Sequence, residues 1–120
     1  MLPRDMQRIL KIRDYCLDIQ DKALRFGASA DAFLSDETYQ QSVAFCILQI
    51  GELVGGLSEE YRNATKNVIQ WQRIKGIRNI IVHDYGKIQL DRLWKIVTED
   101  IPLLKTFCNG QLPPEYFQDE

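Results

Sequence analysis

Apolar residues recur at every third or fourth position along most of the chain, which is the periodicity of helices with one buried face. The pattern predicts four long helices, at about 4–26, 35–57, 71–83 and 90–108, and a short connecting helix after Ser58. Gly27 suits the end of the first helix, and Ser35 suits the N-cap of the second. Strict strand-like alternation is lacking, so we predict an all-α, up-down bundle with short connections.

The centre of the second predicted helix, residues 43–48, is apolar on every side. A helix in a small bundle has a single buried stripe, so a helix without a polar face needs a second covering surface. In a chain of 120 residues the expected cover is another copy of the protein. The pattern therefore predicts a homodimer that associates through its helices.

Glycine and proline refine this picture. Gly76 lies inside the third helix, where glycine destabilises relative to alanine, and this suggests close approach by another backbone. Pro102 is expected to bend the fourth helix, because proline removes a backbone donor and crowds the preceding turn. The tail with Pro113 and Pro114 is expected to be extended. We expect a single helical domain at 1–110 and a C-terminal tail at 111–120.

Composition restricts the class of protein. Apolar residues make up 45% and charged residues 27%, which is ordinary for a globular protein. The longest apolar run, residues 43–48, is too short to span a bilayer, and charges at Arg4 and Asp5 do not fit a signal peptide. We therefore expect a cytoplasmic protein without a membrane segment. Three separated cysteines fit reduced core residues, and a single histidine leaves no recognisable zinc site.

Charge is distributed unevenly along the chain. Residues 61–95 hold eight lysines and arginines against Asp84 and Asp91, a local charge of +6 in a chain whose net charge is −2. A basic surface of this kind can hold a phosphate backbone or an acidic partner. A solvated helix face is the commoner reason for such a segment, so charge alone does not show that the segment binds a partner.

The candidate chemistry lies in segment 78–85. His83, the only histidine, titrates near neutrality and can act as a base on an RNA 2′-hydroxyl or as an acid on the leaving oxygen. Arg78 can hold the oxygens of the phosphorane through its planar guanidinium. Asn79 can fix the imidazole or contact phosphate, and Tyr85 can stack on a base or donate a hydrogen bond. The set fits phosphodiester cleavage without a metal.

Helix geometry limits how these groups combine. Asn79 and His83 are four apart and share a face, whereas Arg78 and His83 are about 140° apart around the axis. Arg78 and His83 therefore need a helix that ends or frays at His83, or a groove lined by two protomers.

A purely structural interpretation explains the same residues. A histidine at a helix C-terminus is commonly a cap, Arg78 could pair with Glu52 or Asp84, and Tyr85 could cover the core edge. Spacing alone favours this interpretation.

A longer pattern changes the balance. Arg78-x4-His83-x-Tyr85, with Asn79 after the arginine, resembles the Arg-x4-His-x-Tyr motif of HepT-like HEPN toxins. Similarity extends over roughly residues 4–107, in the segments Ile50-Gly51-Glu52, Trp71-x-x-Ile74-x-Gly76, Leu93-Trp94-x-Ile96 and Asp100-Ile101-Pro102-Leu103-Leu104. The bare Arg-x4-His pattern is weak, but the combination is specific.

The resemblance implies a HEPN bundle of four or five helices, homodimeric, acting without metal or cofactor as an endoribonuclease toxin. It also implies a partner, an MntA-like nucleotidyltransferase antitoxin that transfers AMP from ATP to the motif tyrosine. By resemblance, Arg78 and His83 are the catalytic pair, Asn79 is accessory and Tyr85 is the AMPylation site. A bulky anionic adduct there would block RNA and compete for the cationic groups. The alternative functions are a non-catalytic subunit that binds nucleotide or RNA for the nucleotidyltransferase, and a purely structural helical dimer.

Overall fold

A computed structural model describes residues 1–84 and 90–116, without the side chains of residues 80 and 82–84. Every regular element in these ranges is helical, as the periodicity predicted. The α-helices are α1 (Pro3–Phe26), α2 (Ala30–Leu34), α3 (Glu37–Gly55), α4 (Glu59–Thr65), α5 (Trp71–Asp84), α6 (Leu90–Lys95) and α7 (Ile101–Gln111). A π-helical turn (Ile96–Asp100) joins α6 to α7, and a 3-10 turn (Pro114–Tyr116) follows α7.

The long helices pack side by side, with α3 between α1 and α5 and with α7 on the other side of α1. The shortest dimension of the molecule is 20 Å, about two helix diameters. This central place explains the apolar run in α3. Val43, Ala44, Cys46 and Ile47 are all buried within a single chain, and only Phe45 is largely exposed, at 56%. The expectation that a second copy must cover the apolar run is therefore wrong for most residues of that run, because the bundle itself covers them.

The start of the second long helix differs from the prediction. Asp36, not Ser35, is the N-cap of α3, and its carboxylate accepts a hydrogen bond from the Tyr39 backbone N–H at 3.1 Å. Ser35 instead ends α2, a five-residue helix that the sequence pattern missed, and its hydroxyl donates to the Asp31 carbonyl at 2.7 Å. Phe33 anchors α2, because its fully buried ring packs against the aromatic rings of Tyr39 and Trp94.

Other predicted boundaries are confirmed. Gly27 ends α1 with φ of 119°, in the region that favours glycine. Ser58 caps α4 and accepts the Tyr61 backbone N–H at 3.2 Å. Pro102 is the second residue of α7 and follows a π-helical turn that the sequence pattern did not predict; the bend expected at Pro102 stays a prediction. The tail is not wholly extended, because Pro114–Tyr116 forms a 3-10 turn.

A buried carboxylate connects α1 to the start of α4. Asp5 is fully buried and accepts the Ser58 backbone N–H at 2.8 Å and the Ser58 hydroxyl at 2.6 Å. Burial would raise the pKa of Asp5, but the two Ser58 hydrogen bonds and the charges of Arg4 and the N-terminus outweigh it, so the pKa is lowered. This contact could not be predicted from the sequence, since the partners are 53 residues apart.

The three cysteines are buried free thiols, as predicted. Burial raises the pKa of Cys46 and of Cys108 to about 12, so both stay protonated and unreactive near neutrality. Among the described residues no single helix has both the length and the apolarity to cross a bilayer. The pair α3 and α4 meets these criteria only when joined across a bend of 105°.

Candidate active site

Arg78 lies where α5 crosses α3, directly over Gly51. A Cβ atom added at Gly51 would overlap Cβ and Cγ of Arg78, so the two helices can approach this closely only because position 51 has no side chain. The close approach predicted for Gly76 is wrong, since no described residue would lie within 4 Å of an added Cβ there. Gly51 thus places the Arg78 stem on the surface of α3.

Two neighbours fix the plane of the Arg78 guanidinium. Its Nη2 forms an ion pair with Oε1 of Glu52, and its Nη1 donates to Oδ1 of Asn79 at 3.0 Å. The Arg78 side chain is 32% exposed and that of Glu52 is 60% exposed, so the pair adds little to stability. Its effect is to orient a guanidinium that solvent, and hence a substrate, can still reach. Of the two partners considered for Arg78, Glu52 is found; the Asp84 side chain lies outside the described residues.

A surface cavity of about 530 Å³ opens beside this pair. Arg8, Lys75 and Arg78 contribute three cations to its lining, against the single carboxylate of Glu52. Arg8 reaches it by lying over Gly56, where an added Cβ would overlap its guanidinium. We refer to Arg8, Glu52, Lys75 and Arg78 as the Arg78 cleft; its excess of positive charge suits a phosphate group.

Arg8 was missed by sequence reasoning because it lies 70 positions before Arg78 and outside the basic segment. Its only sequence signal was the Gly55-Gly56 pair, which had indicated a helix end and not an arginine contact. Lys75 belongs to the basic segment, but nothing in the sequence separated it from the segment's other cations.

The remaining predicted site residues are described in part. The backbone of His83 lies in the last turn of α5, which ends one residue later at Asp84, and its side chain lies outside the described residues. Tyr85 also lies outside them. Asn79 is exposed and its side chain accepts a hydrogen bond from Arg78, so two of the four predicted residues are in contact. In the described ranges, no group of three or more His, Cys, Asp or Glu residues is placed to hold a metal ion.

The described geometry supports one kind of chemistry. A partly exposed, oriented guanidinium in a cationic cleft can bind a phosphate and stabilise added negative charge on it. The helix continues through position 83, so the Arg78 and His83 positions remain about 140° apart around α5. A cleft completed by the end of α5 or by a second protomer remains the way to bring both residues to one phosphate.

Comparison with known proteins connects this geometry to a family. A family model described as ribonuclease HepT-like matches residues 8–110. A candidate RNase of Methanocaldococcus jannaschii is 34% identical over 99 residues, which cover 78% of this chain and 90% of that protein. A candidate ribonuclease HepT of Thermococcus cleftensis is 33% identical over 76 residues, covering 61% of this chain and 66% of the relative. No solved structure gives a significant match.

Proposed function

The chain belongs to the HepT-like ribonuclease family, and on that premise we propose that it is a metal-independent endoribonuclease in which Arg78 and His83 act on one phosphodiester. The observation that carries the proposal is the Arg78 guanidinium, held by Glu52 and Asn79 in a cleft with Arg8 and Lys75. RNA is the substrate class that such a cleft and the family favour together.

The proposed reaction is an internal transesterification. His83 removes the proton of the 2′-hydroxyl, the 2′-oxygen attacks phosphorus, and the bond from phosphorus to the 5′-oxygen breaks. The leaving 5′-oxygen takes a proton from the imidazolium or from water, which gives a 2′,3′-cyclic phosphate and a 5′-hydroxyl. Arg78 holds the equatorial oxygens while their charge grows, and Asn79 keeps the guanidinium in plane.

Glu52 tunes the affinity of Arg78 for phosphate. In the free protein its carboxylate occupies part of the guanidinium that a phosphate would use. Because the pair is exposed, its exchange for a phosphate oxygen costs little. Glu52 therefore acts as a positioning residue that keeps Arg78 ready without binding it tightly.

We place the enzyme in a toxin–antitoxin pair whose antitoxin is an MntA-like nucleotidyltransferase. The Tyr85 hydroxyl would attack the α-phosphate of ATP, with pyrophosphate leaving, so that AMP becomes attached to the tyrosine. The adduct would stand seven positions from Arg78 and bring negative charge to a cleft that selects phosphate. A modified chain would thus be excluded from RNA binding.

A homodimer in the cytoplasm completes the proposal. Phe45 and Glu52 are seven residues apart and therefore on the same face of α3, and Phe45 is the largest exposed apolar side chain on that helix. A second copy seated on this face would bury Phe45 and bring a second Arg78 cleft nearby.

The test is cleavage of a labelled single-stranded RNA by purified dimer that was produced in the absence of the antitoxin. Arg78→Ala and His83→Ala should each lower the cleavage rate by about 10²–10³ or more. Arg25→Ala, which removes an exposed arginine at the far end of α1, should cleave at the wild-type rate. If wild-type protein cleaves no RNA, or all three variants cleave equally, the catalytic proposal fails.

The non-catalytic alternative, a subunit that binds nucleotide or RNA for the transferase, makes the opposite prediction. It requires RNA binding that survives in wild type without cleavage, and transferase activity that depends on the presence of this chain.

A further inference from the structure

A second cavity, of about 380 Å³, lies on α5 between that helix and the α6–π segment. Its lining combines an apolar floor with a cationic rim and consists of Arg73, Gly76, Ile77, Arg92, Lys95 and Ile96. We call it the Gly76 groove. Ile77 and Ile96 are buried and form the floor, while the three cationic residues are exposed at the rim.

Among the described residues, the charge of the Gly76 groove is largely uncompensated. Arg73 forms an ion pair with Asp100, at 3.2 Å between Nη2 and Oδ2, and half of the Arg73 side chain is exposed. Asp91 accepts the backbone N–H of Arg92 and not its guanidinium. Within the described residues, neither Arg92 nor Lys95 lies within 4 Å of a carboxylate oxygen in an ion pair. Three cations of the basic segment seen in the sequence thus converge on one concave surface.

Gly76 is the second observation that points to a ligand. Glycine inside a helix is less favourable than alanine, so a glycine that packing does not require lowers the stability of the helix. Packing among the described residues does not need it, because none of them would lie within 4 Å of a Cβ atom added at Gly76. A larger side chain would fill the groove between Arg73 and Arg92, so the glycine keeps this volume free.

We propose that the Gly76 groove binds a phosphate of the RNA strand next to the scissile one, with the attached ribose or base against Ile77 and Ile96. The inference rests on the proposed ribonuclease function. Positions 76 and 83 are seven apart and therefore on the same side of α5, about 10 Å apart along the axis. A strand held in the groove would be delivered toward the His83 end of the helix, while Arg78 approaches from the α3 side.

The test measures RNA binding apart from cleavage, in a His83→Ala background. The double variant Arg92→Ala/Lys95→Ala should weaken binding of a fluorescent single-stranded RNA about tenfold or more near 0.1 M salt. The slope of log affinity against log salt should fall by about 0.7, because one phosphate contact to a single strand is lost. The matched control Arg25→Ala/Lys66→Ala removes two exposed cations outside both cavities and should leave affinity within about twofold.

Gly76→Leu tests the volume of the groove without changing charge. Leucine is a better helix former, so the variant should unfold at an equal or higher temperature. It should nevertheless bind RNA several-fold more weakly with an unchanged salt slope. RNA affinity equal to the control in both the Gly76→Leu and the double variant would overturn the proposal.

Two further measurements identify the ligand of the groove. ATP binding is measured with the His83→Ala protein and with the double variant. If the double variant loses ATP binding while its RNA affinity is unchanged, the groove is a site for a free nucleotide and the RNA assignment is overturned. Wild-type cleavage is measured separately. If the double variant loses RNA binding but the wild-type protein cleaves no RNA, the groove proposal is supported and the catalytic proposal fails. If the wild-type protein cleaves RNA but the double variant binds RNA as before, the catalytic proposal is supported and the groove proposal fails.

Discussion

Gly51 on α3 and Arg78 on α5 meet with no room between them for a methyl group. The contact involves Cγ and also Cβ of the arginine, whose position the backbone of α5 fixes, and not the mobile end of the side chain. A substitution at Gly51 must therefore displace a helix, and with it the guanidinium.

Gly51→Ala should lower the free energy of unfolding by about 1–3 kcal/mol, the usual effect of overpacking. RNA cleavage should fall further than stability explains, because Arg78 moves relative to Glu52. Urea unfolding and cleavage rates measure the two effects. Gly76→Ala is the matched control and should stabilise by up to about 1 kcal/mol. Equal effects of the two substitutions would contradict the close approach at Gly51.

Glu52→Gln should leave the free energy of unfolding within about 1 kcal/mol of wild type, since the ion pair is exposed. It should tighten RNA binding, because a negative charge leaves the cleft, and lower kcat, because Arg78 loses its orientation. Steady-state kinetics separate the two as a lower KM together with a lower kcat. A change in stability alone, with both constants unaltered, would show that Glu52 has no positioning role.

Asp5→Asn should destabilise the fold by about 2–3 kcal/mol at pH 7, because it weakens two hydrogen bonds to a buried carboxylate. The folded pKa of Asp5 lies below its ordinary value of 3.8, so its contribution is complete above that pH and is lost as pH falls through the folded pKa.

The measurement for Asp5 is the difference in unfolding free energy between wild type and Asp5→Asn at pH 7 and near pH 3. The difference should shrink at the lower pH. Asp31→Asn, at an exposed position in α2, is the control and should show a small difference at both values. A difference for Asp5 that does not change with pH would contradict a lowered pKa.

Incubation with an MntA-like transferase and ATP should add mass in units of AMP, and Tyr85→Phe should abolish the addition. Intact-mass spectrometry reads this directly, with Tyr15→Phe on α1 as the control. Modified wild-type protein should lose both RNA binding and cleavage. Addition that persists in Tyr85→Phe would place the modified residue elsewhere.

Much of the fold could be predicted because burial in long helices repeats with the helix period. The helix α2 escaped prediction since five residues are too few to show a period, and its anchor Phe33 acts through rings from distant segments. Ser35 and Asp36 are both good caps, and only the tertiary path of the chain selects Asp36. The apolar run in α3 suggested a dimer because its place between two other helices is a property of the whole bundle.

Part of the candidate site could likewise be predicted from the sequence and part could not. The motif of Arg78, Asn79, His83 and Tyr85 is local and could be found in the sequence. The two cavities could not, because they join residues such as Arg8 and Gly56, or Gly76 and Lys95, that only packing brings together. Gly51 and Gly76 also look alike in a sequence, although Gly51 contacts an arginine stem and Gly76 has no close neighbour among the described residues.

The π-helical turn at Ile96–Asp100 sets the rotational phase between two halves of what the sequence predicted as one helix. A π turn inserts one residue into the regular winding, equivalent to about 100° of rotation. Downstream of it, Ile101, Leu104 and Cys108 are buried in α7, which packs on α1, while upstream Arg92 and Lys95 line the Gly76 groove. Deleting one residue from the turn would keep both helices but face the two cations away from α5.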